Sequence, residues 1–137
     1  MASLVRFSVS LESGVLKKFD AEIKRRKCPN RSKALTDLIR AMFVKSEWTG
    51  VRNVAGVISV VYDHHKRELV SKLLKVQHKF QSTILSTQHI HMTHSDCLEV
   101  IITRGKPAYI ESLFNELKSI KGIKYTNLSA TTTGENI

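Results

Sequence analysis

The sequence predicts an α+β chain in two parts, a short β-α-α unit followed by a β-α-β-β-α-β domain. Three observations point there. Residues 5–11 alternate apolar Val5, Phe7, Val9 and Leu11 with polar Arg6, Ser8 and Ser10, the period of a strand. Residues 15–43 change to helical spacing. From residue 54 onward, β-branched runs alternate with amphipathic helical stretches. A chain of 137 residues accommodates two small units, and a unit of about 50 residues ordinarily needs a partner to bury enough surface.

The first strand has one apolar and one polar face, but an isolated strand of about six residues leaves its backbone without a ladder partner. A second copy of the chain is the simplest partner. After Ser13 and Gly14, the residues Val15, Leu16, Phe19 and Ile23 recur at helical spacing, and the helix runs out in the basic stretch 24–27. Cations there suit a helix C-terminus. Pro29 then breaks the chain, Asn30 or Ser32 can cap a second helix, and Ala34, Leu35, Leu38, Ile39, Met42 and Phe43 supply its stripe. Residues 45–53, with Trp48 and Gly50, follow neither period and read as a linker. The expected domains are therefore residues 1–47 and 54–137.

In the second domain, residues 54–62 predict a strand and 65–78 a helix carrying Leu69, Val70, Leu73, Leu74 and Val76. Residues 82–94 and 98–104 read as a hairpin turning at Ser95-Asp96, with Ile101 and Ile102 central to its second strand. Pro107 suits a first helical position, Ile110, Leu113, Phe114, Leu117 and Ile120 form a stripe, and Gly122 is a natural stop. Residues 123–130 give the last strand, completing the ferredoxin-like order. The tail 131–137 is expected to be loose.

The balance of 22 Lys+Arg against 12 Asp+Glu gives +10, a charge that attracts nucleic acid or an anionic membrane surface without choosing between them. The first fifty residues hold eleven of the basic and five of the acidic residues and are the more basic part. Cys28 and Cys97 stand far apart, which excludes a small disulfide framework and fits a reducing cytoplasm. The longest apolar run, 54–62, is far short of a membrane span, and the alternating N-terminus is unlike a signal peptide. A soluble, unprocessed, cytoplasmic chain is expected, with no membrane partner. No P-loop, dinucleotide fingerprint or nucleophile elbow is present.

The densest chemistry is His78 followed by His89, His91, His94 and Cys97, which places four of six histidines and one of two cysteines within twenty residues. Along a strand, His89 and His91 share a face, so both imidazoles can aim at one point. A turn at Ser95-Asp96 brings Cys97 back beside them. Alone, His-x-His is more often a solvated polar face, but Cys97 across the hairpin and His78 at a helix end reverse that balance. Such a set suits tetrahedral zinc, and in a plane it suits nickel(II) or copper(II); the spacing leaves these open. His64-His65 beside Asp63 reads mainly as an exposed helix start, with a secondary metal position as the lesser reading.

On the first strand, Arg6, Ser8 and Ser10 form a polar face that, paired antiparallel with its copy, makes a ribbon fit for the major groove. Asn30, Arg31 and Ser32 at a helix start can hold a phosphate through free backbone N–H groups. The basic stretch 24–27 is assigned no role.

At this point the chain resembles, over almost its whole length, the nickel-responsive transcriptional regulators called the NikR family. Arg6-Phe7-Ser8-Val9-Ser10-Leu11 is similar to the family's DNA-reading strand and Asn30-Arg31-Ser32 to its second-helix start. Tyr62-Asp63-His64-His65-Lys66-Arg67-Glu68-Leu69, Gln77-His78 and His89-x-His91-x-x-His94-x-Asp96-Cys97-Leu98-Glu99 follow its sensor domain. The resemblance implies an N-terminal ribbon-helix-helix, an ACT-type sensor domain, and a homotetramer built as a dimer of dimers on palindromic operator DNA. It also implies nickel, Ni(2+), in a square plane of His89, His91 and Cys97 from one subunit and His78 from another, with Gln77 and Glu99 orienting the ligands. Repression of nickel uptake is the implied output. One departure is Lys33, where the family often has an acid that helps a second cation join the two domains; Asp37 one turn on is present. A lysine there can stand in for the cation's charge. A hydrolytic enzyme using His89, His91 and Cys97 lacks a placed general base, and a ribbon-helix-helix regulator sensing a small metabolite is the other alternative.

Overall fold

A computed structural model describes residues 3–137. The elements run α1 (Ser13–Arg25), α2 (Arg31–Glu47), β1 (Val54–Asp63), α3 (Arg67–Lys79), β2 (Ile84–His91), β3 (Asp96–Gly105), α4 (Pro107–Ser119) and β4 (Tyr125–Ala130). The chain divides into two compact units, Met1–Arg40 and Ala41–Ile137.

In the first unit, α1 closes in the basic stretch foreseen for it, with Glu22 accepting hydrogen bonds from Arg25 and Arg26 one turn on. Lys27 takes a positive φ of 53°, which turns the chain out of the helix. Asn30 does cap the next helix, its side-chain oxygen accepting from the Lys33 N–H at 2.8 Å. The Arg31 guanidinium forks onto Asp20 at 2.8 and 2.7 Å, tying α2 to α1. Lys33 pairs with Asp37 on the same helix face.

The expected strand over residues 5–11 does not form in the single chain: the described residues before α1 carry no ladder, and Leu4, Val5, Phe7, Val9 and Leu11 are exposed. No other strand lies beside it within the described chain, and an extended segment without a ladder neighbour leaves its backbone groups to solvent. Neither α1 nor α2 fully buries a residue, and Leu38, Ile39, Met42 and Phe43 stay open.

The second unit is a four-stranded antiparallel sheet in the order β2-β3-β1-β4, with α3 and α4 as its helices, the ferredoxin-like arrangement expected from the order of elements. Strand β1 lies at the centre because its alternate residues are buried: Val54, Ile58, Val60 and Tyr62 face the core with Leu69, Leu73, Leu113 and Leu117 of the helices. Among the described residues of this unit, no helix packs on the opposite sheet face. On it lie Val57, Val61, Val100 and the more exposed Ile90, Ile102 and Tyr125.

Two differences from the sequence reading have local causes. Residues 45–53 are not all linker, because α2 runs to Glu47 and the Trp48 indole N–H donates to the Thr131 carbonyl at 2.8 Å. The indole edge lies so close to Gly56 that a Cβ there would meet it at 3.1 Å. The tail after β4 is correspondingly held, with the Thr131 N–H donating to Ala55 and Arg52 reaching Asn136. Helix α4 ends at Ser119 with Ile120 already extended, ahead of the stop expected at Gly122, which instead turns the chain toward β4 at φ +98°.

Leu113 is fully buried among the strands and α3, so Leu113→Ala should cost about 2–5 kcal/mol of the second unit's stability, read from urea denaturation. A loss below about 1 kcal/mol would mean that the helix layer is not packed as described.

Candidate metal centre

The register of the β2–β3 hairpin places His91 opposite Cys97 and His89 opposite Glu99, while β1 places Tyr62 opposite Cys97. Cross-strand partners project from the same face, so these five side chains share the helix-facing side at one end of the sheet. The hairpin turn is held by Asp96, whose carbonyl accepts from Met92 and Thr93, and by the Thr93 hydroxyl, which accepts from Ser95 and Asp96. Lys124 fastens this end again, its ammonium reaching Asp96 at 2.6 Å and its N–H donating to Val61.

Cys97 is buried, and its sulfur lies 3.4 Å from His91 Nδ1 and 3.2 Å from His64 Nδ1. His64, His91 and Cys97 form a group whose donor atoms all lie within 4.8 Å of one another. His89 stands beside it, with its ring centroid 5.1 Å from that of His91. The thiol is pushed above its ordinary value, first by burial and then by the carboxylates of Asp96, Asp63 and Glu99.

A hydrogen-bond chain leads from this group into α3. Gln77 Nε2 donates to Glu99 at 2.6 Å, and the Tyr62 hydroxyl donates to the other Glu99 oxygen at 2.9 Å. The single phenolic proton is thereby committed, so at 3.2 Å His89 Nδ1–H must donate to the Tyr62 oxygen. That fixes the tautomer and leaves the His89 Nε2 lone pair free for a metal. Burial, then the Glu99 carboxylate, raises the Tyr62 pKa and keeps the phenol protonated.

Of the residues singled out from sequence, His89, His91, Cys97, Gln77 and Glu99 thus gather at one place. His78 is on α3, exposed, and lies outside the group formed within one chain. Tyr62 and His64 were missed as members. Alternation along β1 marks Tyr62 as inward-facing, but no spacing in the sequence brings His64 to Cys97; that takes the turn after β1, pinned by the His64 N–H donating to Ser95 at 3.1 Å. His65 packs against His64 with ring centroids 4.1 Å apart, reaches Asp63 at 3.2 Å and lies beside the His94 ring; Asp63, His64 and His65 form a second group of donor atoms within 4.8 Å of one another, at the secondary position read from the sequence. Arg6, Ser8 and Ser10 lie in the segment without a ladder, and Asn30, Arg31 and Ser32 open α2.

A buried thiol with several imidazoles converging at the open end of a ferredoxin-like sheet defines a sulfur–nitrogen donor set, the chemistry that borderline divalent metals take. The comparisons with known proteins agree with that class. Residues 55–131 match the family model described as the NikR C terminal nickel binding domain. A relative from Syntrophus aciditrophicus is 47% identical over 135 residues, covering 98% of each chain, and one from Chlorobium phaeobacteroides is 47% identical over 94% of this chain and 96% of its own. A third, from Desulfovibrio desulfuricans, is 39% identical over the whole of this chain and 99% of its own, and all three are named "Putative nickel-responsive regulator". The chain belongs to this NikR family, whose members are named regulators and not enzymes. Among solved structures, an uncharacterized protein TM1266 from Thermotoga maritima matches 57% of this chain and 96% of its own at a TM-score of 0.53 and 13% identity, a likeness of fold alone.

Because the Cys97 pKa is raised, its thiol keeps its proton at neutral pH and any metal bound through sulfur must displace it. Divalent-metal affinity should therefore rise about tenfold per pH unit between roughly pH 7 and 8.5, with the proton released appearing in calorimetry as a buffer-dependent heat. An affinity flat across that range would show that Cys97 does not bind as thiolate.

Proposed function

We propose that the chain is a nickel-responsive regulator that binds DNA through an N-terminal ribbon-helix-helix and represses nickel uptake. Its sensor would hold nickel(II) through His89, His91 and Cys97 of one subunit and His78 of the partner subunit. The observation that carries this reading is the hydrogen-bond chain ending at Gln77, the residue beside His78 on α3. Each α3 would then offer Gln77 to its own site and His78 to the neighbour's.

Nickel(II), when bound, supplies the preference for a planar nitrogen–sulfur set. The chain's part is to divide that set between subunits. His89 is aimed by Tyr62, Cys97 is held in the sheet and His91 is placed opposite it, so only α3 of the partner remains to be docked. A site complete in one quaternary arrangement and incomplete in others binds them unequally, and that difference shifts their populations. The helix-free sheet face, with Ile90, Ile102 and Tyr125 exposed, supports assembly into the tetramer this requires. An assembly with its paired ribbons set at a fixed spacing can span two operator half-sites.

For the DNA-binding end, the support is the basic first third, the unpaired apolar segment before α1 and the open stripe of α2, which together leave a surface that a second copy would cover. Arg6, Ser8 and Ser10 would read bases from the ribbon, with Asn30, Arg31 and Ser32 offering backbone N–H groups to phosphate. The Lys33 ammonium, paired with Asp37, would take the place beside that carboxylate that the resemblance gives to a bound cation.

Arg6→Ala should weaken operator binding by about 1–3 kcal/mol and relax base preference while metal uptake is retained, measured by titration on operator and random duplexes. Equal loss on both duplexes would remove the reader role. The sharing of ligands is tested by unfolding His78→Ala and Cys97→Ala chains together and refolding them. Each variant lacks a ligand alone, but a mixed interface contains one complete set, so a planar nickel absorption band should return in the mixture. No recovery, with heteromers confirmed by mass, would refute a shared site.

A further inference from the structure

Away from the metal centre, helices α3 and α4 meet in an open cleft of about 390 Å³. Leu69, Leu73, Leu113 and Leu117 turn the inner faces of both helices to the core, so the cleft lies outside it. Three exposed lysines line it, Lys72 and Lys75 from α3 and Lys121 from just beyond α4. Half-buried Val76 and buried Ile120 give it an apolar part. The one carboxylate in the lining, Glu116, is already taken by Lys79 at 2.6 Å. Lys72 reaches only Glu68, a highly exposed carboxylate outside the lining, at 3.2 Å, and such pairs contribute little. Among the described residues, no carboxylate lies within ion-pair distance of Lys75 or Lys121. The cleft therefore gathers like charges that repel one another until an anion joins them.

We propose that this cleft binds a small organic phosphate. An ammonium is a point charge that suits phosphate oxygens, where recognition of a planar carboxylate favours the arginine fork. A phosphate monoester carries close to two negative charges at neutral pH, which several converging lysines can share. The volume falls in the range of about 300–1,000 Å³ typical of small-molecule sites, and Val76 and Ile120 give the organic part a surface to cover. A duplex would use the lysines but has no need of a recess with an apolar part. Nucleotides and sugar phosphates share the required chemistry. Lys75 and Val76 directly precede Gln77, whose amide holds Glu99, so an anion shared by Lys75 and Lys121 would fasten to α4 the turn of α3 that reaches the metal centre.

Binding is tested on the metal-free full-length protein, which makes the result independent of the metal that the centre takes. AMP, glucose phosphate and inorganic phosphate are titrated calorimetrically at about 0.15 M salt, where charges more than about 8 Å apart are largely screened. At least one organic phosphate should saturate one site per chain and bind more tightly than inorganic phosphate, since only it meets Val76 and Ile120. Which of the two does so separates a nucleotide from a sugar phosphate. The double variant Lys75→Gln, Lys121→Gln should weaken that binding by on the order of tenfold or more. A control, Lys17→Gln with Lys18→Gln, removes the same charge from exposed positions of α1 and should leave it unchanged. No saturable binding of either organic phosphate, or equal losses in the two double variants, would overturn the site. A short duplex that loses affinity through Lys75 and Lys121 while neither organic phosphate binds would overturn it too, and would assign the cleft to DNA.

Discussion

The pairing of β3 with both β1 and β2 is the constraint on which the site depends. Because side chains alternate with a period of two, one register puts Tyr62, Cys97 and His91 in a row across three strands and His89 and Glu99 in the next. A slip of one residue on β2 would turn both histidines away from Cys97. The β2 residues beyond Ile84 are exposed, so that strand's register is set by the hydrogen-bonded turn at residues 92–96, whereas the β1–β3 register is fixed from the core side. Ile58, Val60, Cys97 and Ile101 are buried under α3 and α4, and turning them outward would expose the apolar surface that holds the unit together.

The same packing places polar chemistry where a core would ordinarily exclude it. Glu99 is a buried carboxylate, tolerable because Gln77 and Tyr62 each donate to one of its oxygens. Burying a carboxylate without such partners would cost several kcal/mol. The partners in turn orient His89, so one buried charge both requires and organises the network. Cys97, buried beside it, is held as a neutral thiol until something more favourable than a proton is offered.

The basic unit and the sheet unit pose opposite problems. The sheet closes its core within one chain. The α1–α2 unit does not, and its exposed apolar residues lie on the elements that, by sequence, should face a second copy. A single chain thus holds one unit with a closed core and one whose apolar residues stay exposed, as small units that cannot bury enough surface alone do.

The sequence by itself determined the order of elements, because period-two and helical patterns are local, and it determined that His89, His91 and Cys97 share a place, because a strand and a tight turn carry them there. Asn30 as a cap was legible for the same reason: caps are built by neighbours in the chain. The strand at residues 5–11 was legible as a pattern but forms no ladder in one chain, since pattern gives a strand its faces and only a partner gives it hydrogen bonds. What the tertiary structure alone decided is the meeting of distant segments: Trp48 against Gly56, Tyr62 between Glu99 and His89, and above all His64 against Cys97. Those separations of up to 37 residues are closed by the strand order β2-β3-β1-β4, and strand order is a property of the whole packed sheet that no local spacing encodes.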